Sequence, residues 1–120
     1  MGKFVVSKVK TGYVFTLKAG NGEVIGTSEV YASESSCLGG IDSVRNNCGS
    51  AVEDQTVTPV EALKNPKYEL YTDKAGEFRY RLKAKNGEII LSGEGYKSKS
   101  GCKGGIDSVK SNAPKAEVEK

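Results

Sequence analysis

The sequence predicts an α+β protein made of two tandem copies of one strand-strand-strand-helix unit. Three observations carry that reading. The chain matches itself at an offset of 65: of the 39 aligned pairs between residues 13–51 and 78–116, 20 are identical. Within each copy the apolar residues first recur with period two, as in a strand facing a core, and then switch to helical spacing. The chain has 120 residues, 37% hydrophobic and 28% charged, which is the composition of a globular domain. A unit of about 50 residues buries too little surface to be comfortable alone, so the two copies are expected to complete one another.

The elements are clearest in the second copy. Tyr68 and Leu70 alternate with Glu69 and Tyr71, giving a first strand, and residues 73–76 turn the chain. Upstream of the repeat block the offset drops to 64, so the second copy carries one extra residue in this turn, which places the turn at the surface. Phe78, Tyr80, Leu82 and Ala84 then alternate with Arg79, Arg81, Lys83 and Lys85 in a second strand. Asn86-Gly87, like Asn21-Gly22 in the first copy, is the best hairpin signal in the chain, because a two-residue turn of positive φ suits Asn and Gly. The register of the third strand stays open at this level. A two-residue turn puts Ile89 and Leu91 on the face of Leu82, whereas a three-residue turn with a bulge chooses Ile90.

Ser33 and Ser98 stand where helix N-caps are expected. Beyond them come two apolar stripes at helical spacing, Cys37, Ile41, Val44 and Cys48, and Cys102, Ile106, Val109 and Ala113. Paired glycines inside the helices, Gly39-Gly40 and Gly104-Gly105, cost about 1 kcal/mol each relative to Ala, so close contact between helix and sheet is expected to compensate. Asp42 with Arg45 and Asp107 with Lys110 are read as ion pairs at i, i+3. Tyr31 and Tyr96 are expected to anchor the corners between strand and helix. The boundaries read as a first repeat over 1–58, a connector over 59–66 interrupted by Pro59 and Pro66, and a second repeat over 67–120. The start of that inter-copy stretch, Ala51-Val52-Glu53-Asp54, resembles the tail Ala116-Glu117-Val118-Glu119, so each copy has material for a short fourth strand.

The run Leu82-Lys83-Ala84, Asn86-Gly87-Glu88-Ile89-Ile90, Glu94, Tyr96, Ser98, Gly105-Ile106, Ser108-Val109-Lys110 and Asn112, with its counterpart in the first copy, resembles the YegP-like family of uncharacterised bacterial proteins. The resemblance covers nearly the whole chain. It implies two β-β-β-α-β repeats forming one antiparallel sheet, with the last strands exchanged between repeats and the helices packed on the sheet. It also implies a self-contained monomer. It supplies no activity, cofactor or catalytic residue. Cys37 and Cys102, a second Gly before each Ile and the long connector depart from the pattern.

Composition narrows the chemistry. With no His, the chain lacks Ser-His and Cys-His nucleophile pairs and His-based zinc sites. Cys37, Cys48 and Cys102 are odd in number and never spaced C-x-x-C, so three reduced, buried thiols in a cytoplasmic protein are expected. No apolar run approaches the roughly 18 residues of a membrane span, and no export signal or myristoylation motif is visible. No metal site or cofactor is expected.

Charge separates the copies. Residues 1–60 carry net −1 and residues 61–120 net +4. Where the first copy has Val14, Thr16 and Lys18, the second has Arg79, Arg81 and Lys83, followed by Lys85. Four cations on one face of a strand lie about 6.7 Å apart, near the spacing of phosphates along an extended nucleic-acid strand. Such a stripe suits a polyanion, nucleic acid included, or an acidic protein surface; it is also what an ordinary solvated sheet face carries. The expected role is therefore a small non-catalytic binding or accessory module of unknown partner, with Arg79, Arg81, Lys83 and Lys85 as its candidate surface. The alternative is a small-molecule site or enzyme using the duplicated carboxylates Glu29/Glu94 and Asp42/Asp107 at the repeat interface.

Overall fold

The computed structural model describes residues 2–120. Its alternating segments are strands: β1 Lys3–Val9, β2 Gly12–Lys18 and β3 Val24–Thr27 in the first copy, and β5 Lys67–Thr72, β6 Phe78–Lys83 and β7 Ile89–Gly93 in the second. The segments of helical spacing are α1 Glu34–Asn47 and α2 Lys99–Asn112. Each helix starts where its serine predicts. Ser33 Oγ accepts the Ser36 N–H at 3.1 Å, and Ser98 Oγ accepts the Gly101 N–H at 3.0 Å. After each helix comes a short strand, β4 Val52–Asp54 and β8 Glu117–Glu119.

These strands form one eight-stranded sheet in the order β4-β5-β6-β7-β3-β2-β1-β8. The order reads the same from either edge once copies are interchanged, so a pseudo-two-fold axis passes between β3 and β7, where Gly26 pairs with Gly93 and Thr27 with Ser92. The last strands are exchanged: β4 leaves the first copy to pair with β5, and β8 leaves the second to pair with β1. Both edge pairings are parallel, which makes the sheet mixed where a wholly antiparallel one was expected. Period-two alternation assigns faces and carries no information on strand direction. The direction of β4 and β8 comes from how the chain leaves its helix.

Both Asn-Gly turns differ from the two-residue form. Each hairpin closes over three residues, with Gly22 and Gly87 at φ +86° and no non-glycine residue at positive φ among the described residues. The Gly22 and Gly87 N–H groups donate to the Ala19 and Ala84 carbonyls at 2.9 Å. A three-residue turn alone brings Ile90 onto the face of Leu82. A second irregularity follows, however: Lys83 pairs with Ile89 and Leu82 with Leu91, so Ile90 bulges and Leu91 regains the inner face. The first copy repeats this bulge at Ile25, between Val24 and Gly26.

Both helices lie on one face of the sheet. Phe4, Phe15, Leu17, Tyr68, Tyr80 and Leu82 project toward them, and the helical stripes of Cys37, Ile41 and Val44 and of Cys102, Ile106 and Val109 close the core. All three cysteines are buried free thiols. Tyr80 Oη donates to the Ile25 carbonyl at 2.6 Å, a buried bond from the second copy into the first. Leu91 lies over Gly26, where a Cβ would come within 2.8 Å of its Cγ. The core is therefore common to both copies.

The glycine pairs divide by role. A Cβ on Gly40 or Gly105 would lie 2.3 Å from the hydroxyl of Tyr31 or Tyr96, so each tyrosine presses its hydroxyl onto the helix backbone at the strand-to-helix corner. Gly39 and Gly104 face open space, and helix-sheet contact does not explain them. The ion pair of Asp42 with Arg45 forms at 3.8 Å. Its counterpart does not: Lys110 instead places its Nζ 5.6 Å from the Tyr68 ring centre, as Arg45 lies over Phe4.

Candidate functional site: the open sheet face

With the helices on one side, the other face of the sheet is where the candidate cations lie. Along β6 the outward residues are Arg79, Arg81 and Lys83, each half-buried, and exposed Lys85 follows in the hairpin turn. Arg79, Arg81 and Lys83 thus share one stripe, whereas Lys85, expected on the same strand face, falls beyond the strand end because the hairpin turn begins before it. The structure also supplies partners that strand periodicity in β6 alone does not reveal.

Arg79 Nε donates to Asp73 Oδ2 at 2.6 Å. That carboxylate also accepts backbone N–H groups in its own turn, and the Arg79 bond holds the Asp73 carboxyl below its usual range. Arg81 Nε reaches Glu69 Oε1 at 2.5 Å across the β5–β6 pair, and its guanidinium stacks 4.3 Å from the centre of the Tyr71 ring. The ring is occupied by that stack, so charge dominates the stripe's chemistry. Lys83 lies 3.4 Å and Lys67 3.3 Å from the other Glu69 oxygen. Lys67 in turn donates to Glu53 Oε1 at 2.7 Å.

Glu53 and Glu69 are each only 4% exposed although they lie on the face opposite the core. Lys67, Arg81 and Lys83 surround Glu69, and the connector covers Glu53. Leu63 N–H donates to Glu53 Oε1 at 2.7 Å and Gln55 Nε2 to Oε2 at 2.6 Å, so the chain after β4 folds back over the strand end. These bonds, that from Lys67 first, pull the Glu53 carboxyl down to about 2. Burial alone raises Glu69, but Arg81 and Lys67 outweigh it and the net direction is downward. Both carboxylates therefore stay ionised at neutral pH. Asp54, next to Glu53, is raised by burial and then drawn to about 2 by Lys99 and Thr56.

The first copy lacks this network. Val5 and Thr16 occupy the positions of Glu69 and Arg81, and one element of the arrangement survives: Lys3 Nζ donates to exposed Glu119 at 3.0 Å, matching Lys67 with Glu53. By this pairing Glu119, not Val118, corresponds to Glu53. The sequence comparison that set the tail against residues 51–54 is thus shifted by one in the structure.

The duplicated carboxylates do not form a comparable site. Glu29, Glu94, Asp42 and Asp107 are all exposed, and no group of three or more His, Cys, Asp or Glu side chains is placed to hold a metal among the described residues. Two surface clefts are lined by other residues. One, of about 270 Å³, lies between the first hairpin and α2, with Glu23, Val24, Tyr96 and Gly104 on its walls. The other, of about 420 Å³, lies between β4 and the connector. No described helix is long and apolar enough to cross a membrane.

Palindromic strand order, exchanged edge strands and a core shared across the pseudo-axis define a tandem-repeat α+β protein with one covered and one open sheet face. The chain belongs to the family described as domain of unknown function DUF1508, which matches twice, over residues 10–54 and 73–119. Among its relatives is the UPF0339 protein PA0329 of Pseudomonas aeruginosa, 36% identical over 95% of this chain and 92% of that protein. The solution structure of yegP from E. coli, described as a protein of unknown function, is similar with a TM-score of 0.80 at 39% identity, covering 98% of this chain and 90% of that one. A UPF0339 protein of Treponema denticola is 60% identical over 43% of this chain, yet that match spans 90% of its own length. A single copy is thus nearly the whole of that relative.

Proposed function

We propose that this protein is a non-catalytic binding module whose open sheet face contacts an anionic macromolecule through Arg79, Arg81, Lys83 and Lys85. The observation that carries the reading is the sharing of one carboxylate, Glu69, among Lys67, Arg81 and Lys83. Even with Glu53 counted, the cations of this network outnumber its carboxylates, and exposed Lys85 adds to the excess. Because Tyr71 is stacked under Arg81, the face offers charge and no free aromatic platform, so contacts run to phosphate or carboxylate groups. Affinity is then modest and strongly dependent on salt. The protein works as a monomer, since one chain supplies both copies, and its three buried thiols fit a reducing cytoplasm. Domain boundaries at 1–58 and 67–120, flanking a connector over 59–66, belong to the same reading.

The test is fluorescence anisotropy with labelled single-stranded DNA, single-stranded RNA and polyglutamate at low and high salt. The variant Arg79→Gln/Arg81→Gln/Lys83→Gln/Lys85→Gln is expected to bind at least about tenfold more weakly at low salt and to show a shallower salt slope. Lys83→Gln/Lys85→Gln, which leaves the arginine ion pairs intact, is expected to fall between. Unchanged affinity in both variants overturns the proposal.

A further inference from the structure

The free edge of β4 and the connector beside it form a second, independent surface. β4 is the last strand of the sheet and pairs with β5 on one side. The Tyr68 N–H donates to the Ala51 carbonyl at 2.9 Å, and the Gln55 N–H to the Leu70 carbonyl at 2.8 Å. Backbone groups alternate along a strand, so Ala51, Glu53 and Gln55 face β5 while the N–H and C=O of Val52 and Asp54 point away from the sheet. The turn and loop bonds among the described residues leave those four outward groups unused.

The connector runs beside this edge without pairing to it. Pinned by Glu53 to the Leu63 N–H and by Asp54 to Thr56, it walls off the cleft of about 420 Å³, within the usual size of a ligand pocket of about 300–1,000 Å³. Val52, Val57, Pro59 and Leu63 give the cleft apolar sides, with Glu61 at its rim. Val57 is 45% and nearby Val60 43% exposed, so these connector valines are not spent on the core. The acidic side chains of β4 are already engaged, Glu53 by Lys67 and Asp54 by Lys99, and they do not repel an incoming strand. The opposite edge is different: β8 presents exposed Glu117, which makes no salt bridge among the described residues and is the kind of charge that discourages strand pairing. Glu61 is exposed and makes no salt bridge among the described residues.

From this juxtaposition of unpaired strand edge, apolar cleft and unpaired carboxylate, we propose that β4 and the connector form a docking site for an extended segment of a partner protein. The segment adds one strand to the edge, sets an apolar side chain between Val57, Pro59 and Leu63, and carries a Lys or Arg toward Glu61.

The probe is a panel of capped peptides of sequence Lys-Thr-Val-X-Val-Thr-Lys with X apolar, titrated into the ¹⁵N-labelled full chain. Saturable shifts at the Val52 and Asp54 amides, with slowed hydrogen exchange there, are expected. N-methylation at alternate peptide residues is expected to weaken binding at least about tenfold, since each lost backbone bond counts. Val57→Glu is expected to weaken it similarly, and Glu61→Lys to shift preference toward the same peptide with Glu in place of Lys. Shifts mapping to β8 or to the Arg81 face, indifference to N-methylation and to Glu61→Lys, edge-to-edge pairing of two copies that the peptides do not reverse, or no shift at millimolar peptide would each overturn the proposal.

Discussion

Lys67 donates to Glu53 at 2.7 Å, and that bond ties the first strand of one copy to the strand that the other copy sends across the molecule. It is matched at the far edge by Lys3 with Glu119, so the exchange is fastened at both ends, once under cover and once in solvent. Removing one partner costs more at the covered pair, because it leaves a buried charge uncompensated, whereas exposed pairs are worth little.

Glu53 gives a pH dependence. Its folded-state carboxyl is lowered from 4.5 to about 2, so its stabilisation is fully present above the ordinary carboxylate range and disappears as pH falls toward about 2. Glu53→Gln is expected to cost on the order of 3 kcal/mol at neutral pH. Urea melts across that acid range should show a flatter pH profile for the variant; profiles of equal slope count against the assignment.

The two glycines of each helical pair should respond in opposite directions. Gly104→Ala meets open space and is expected to stabilise by up to about 1 kcal/mol. Gly105→Ala drives a methyl into the Tyr96 hydroxyl and is expected to destabilise by about 2 kcal/mol. Thermal melts of the two single variants decide it, and Gly39→Ala with Gly40→Ala repeat the comparison in the first copy.

Tyr80→Phe removes the buried bond to the Ile25 carbonyl and leaves that oxygen without its partner. A loss of about 1–2 kcal/mol is expected by denaturant titration. Gly93→Ala, whose Cβ would come within 2.1 Å of the same ring, should cost more.

Neither half should be a well-packed monomer. Expressed apart, residues 1–66 and 67–120 are each expected to give poorly dispersed NMR spectra or to self-associate, and mixing them should restore the spectrum of the full chain. A sharp, monomeric spectrum from one half alone would show that the exchanged strands and shared core are dispensable.

Much of this molecule was legible in its residues. The duplication, strand alternation from Phe78 to Lys83, caps at Ser33 and Ser98 and buried stripe of Cys102, Ile106 and Val109 all follow from local periodicity and side-chain chemistry. The shared face of Arg79, Arg81 and Lys83 followed as well, because alternation fixes which side chains share a face within a strand; Lys85 lies past the strand end, where that rule stops. Their partners did not: Glu69 is adjacent in sequence to Tyr68 but reaches Arg81 only through cross-strand register, and Glu53 is buried by a loop whose path no periodicity encodes.

The chain by itself thus determined that there are two equivalent units, which elements each contains and which faces are apolar, since these depend on neighbours a few residues apart. The tertiary structure alone decided that the edge strands run parallel, that Ile90 bulges so Leu91 can lie over Gly26, and that half of each glycine pair is required by a tyrosine hydroxyl. These outcomes depend on contacts between segments tens of residues apart, whose geometry is set by packing in the common core.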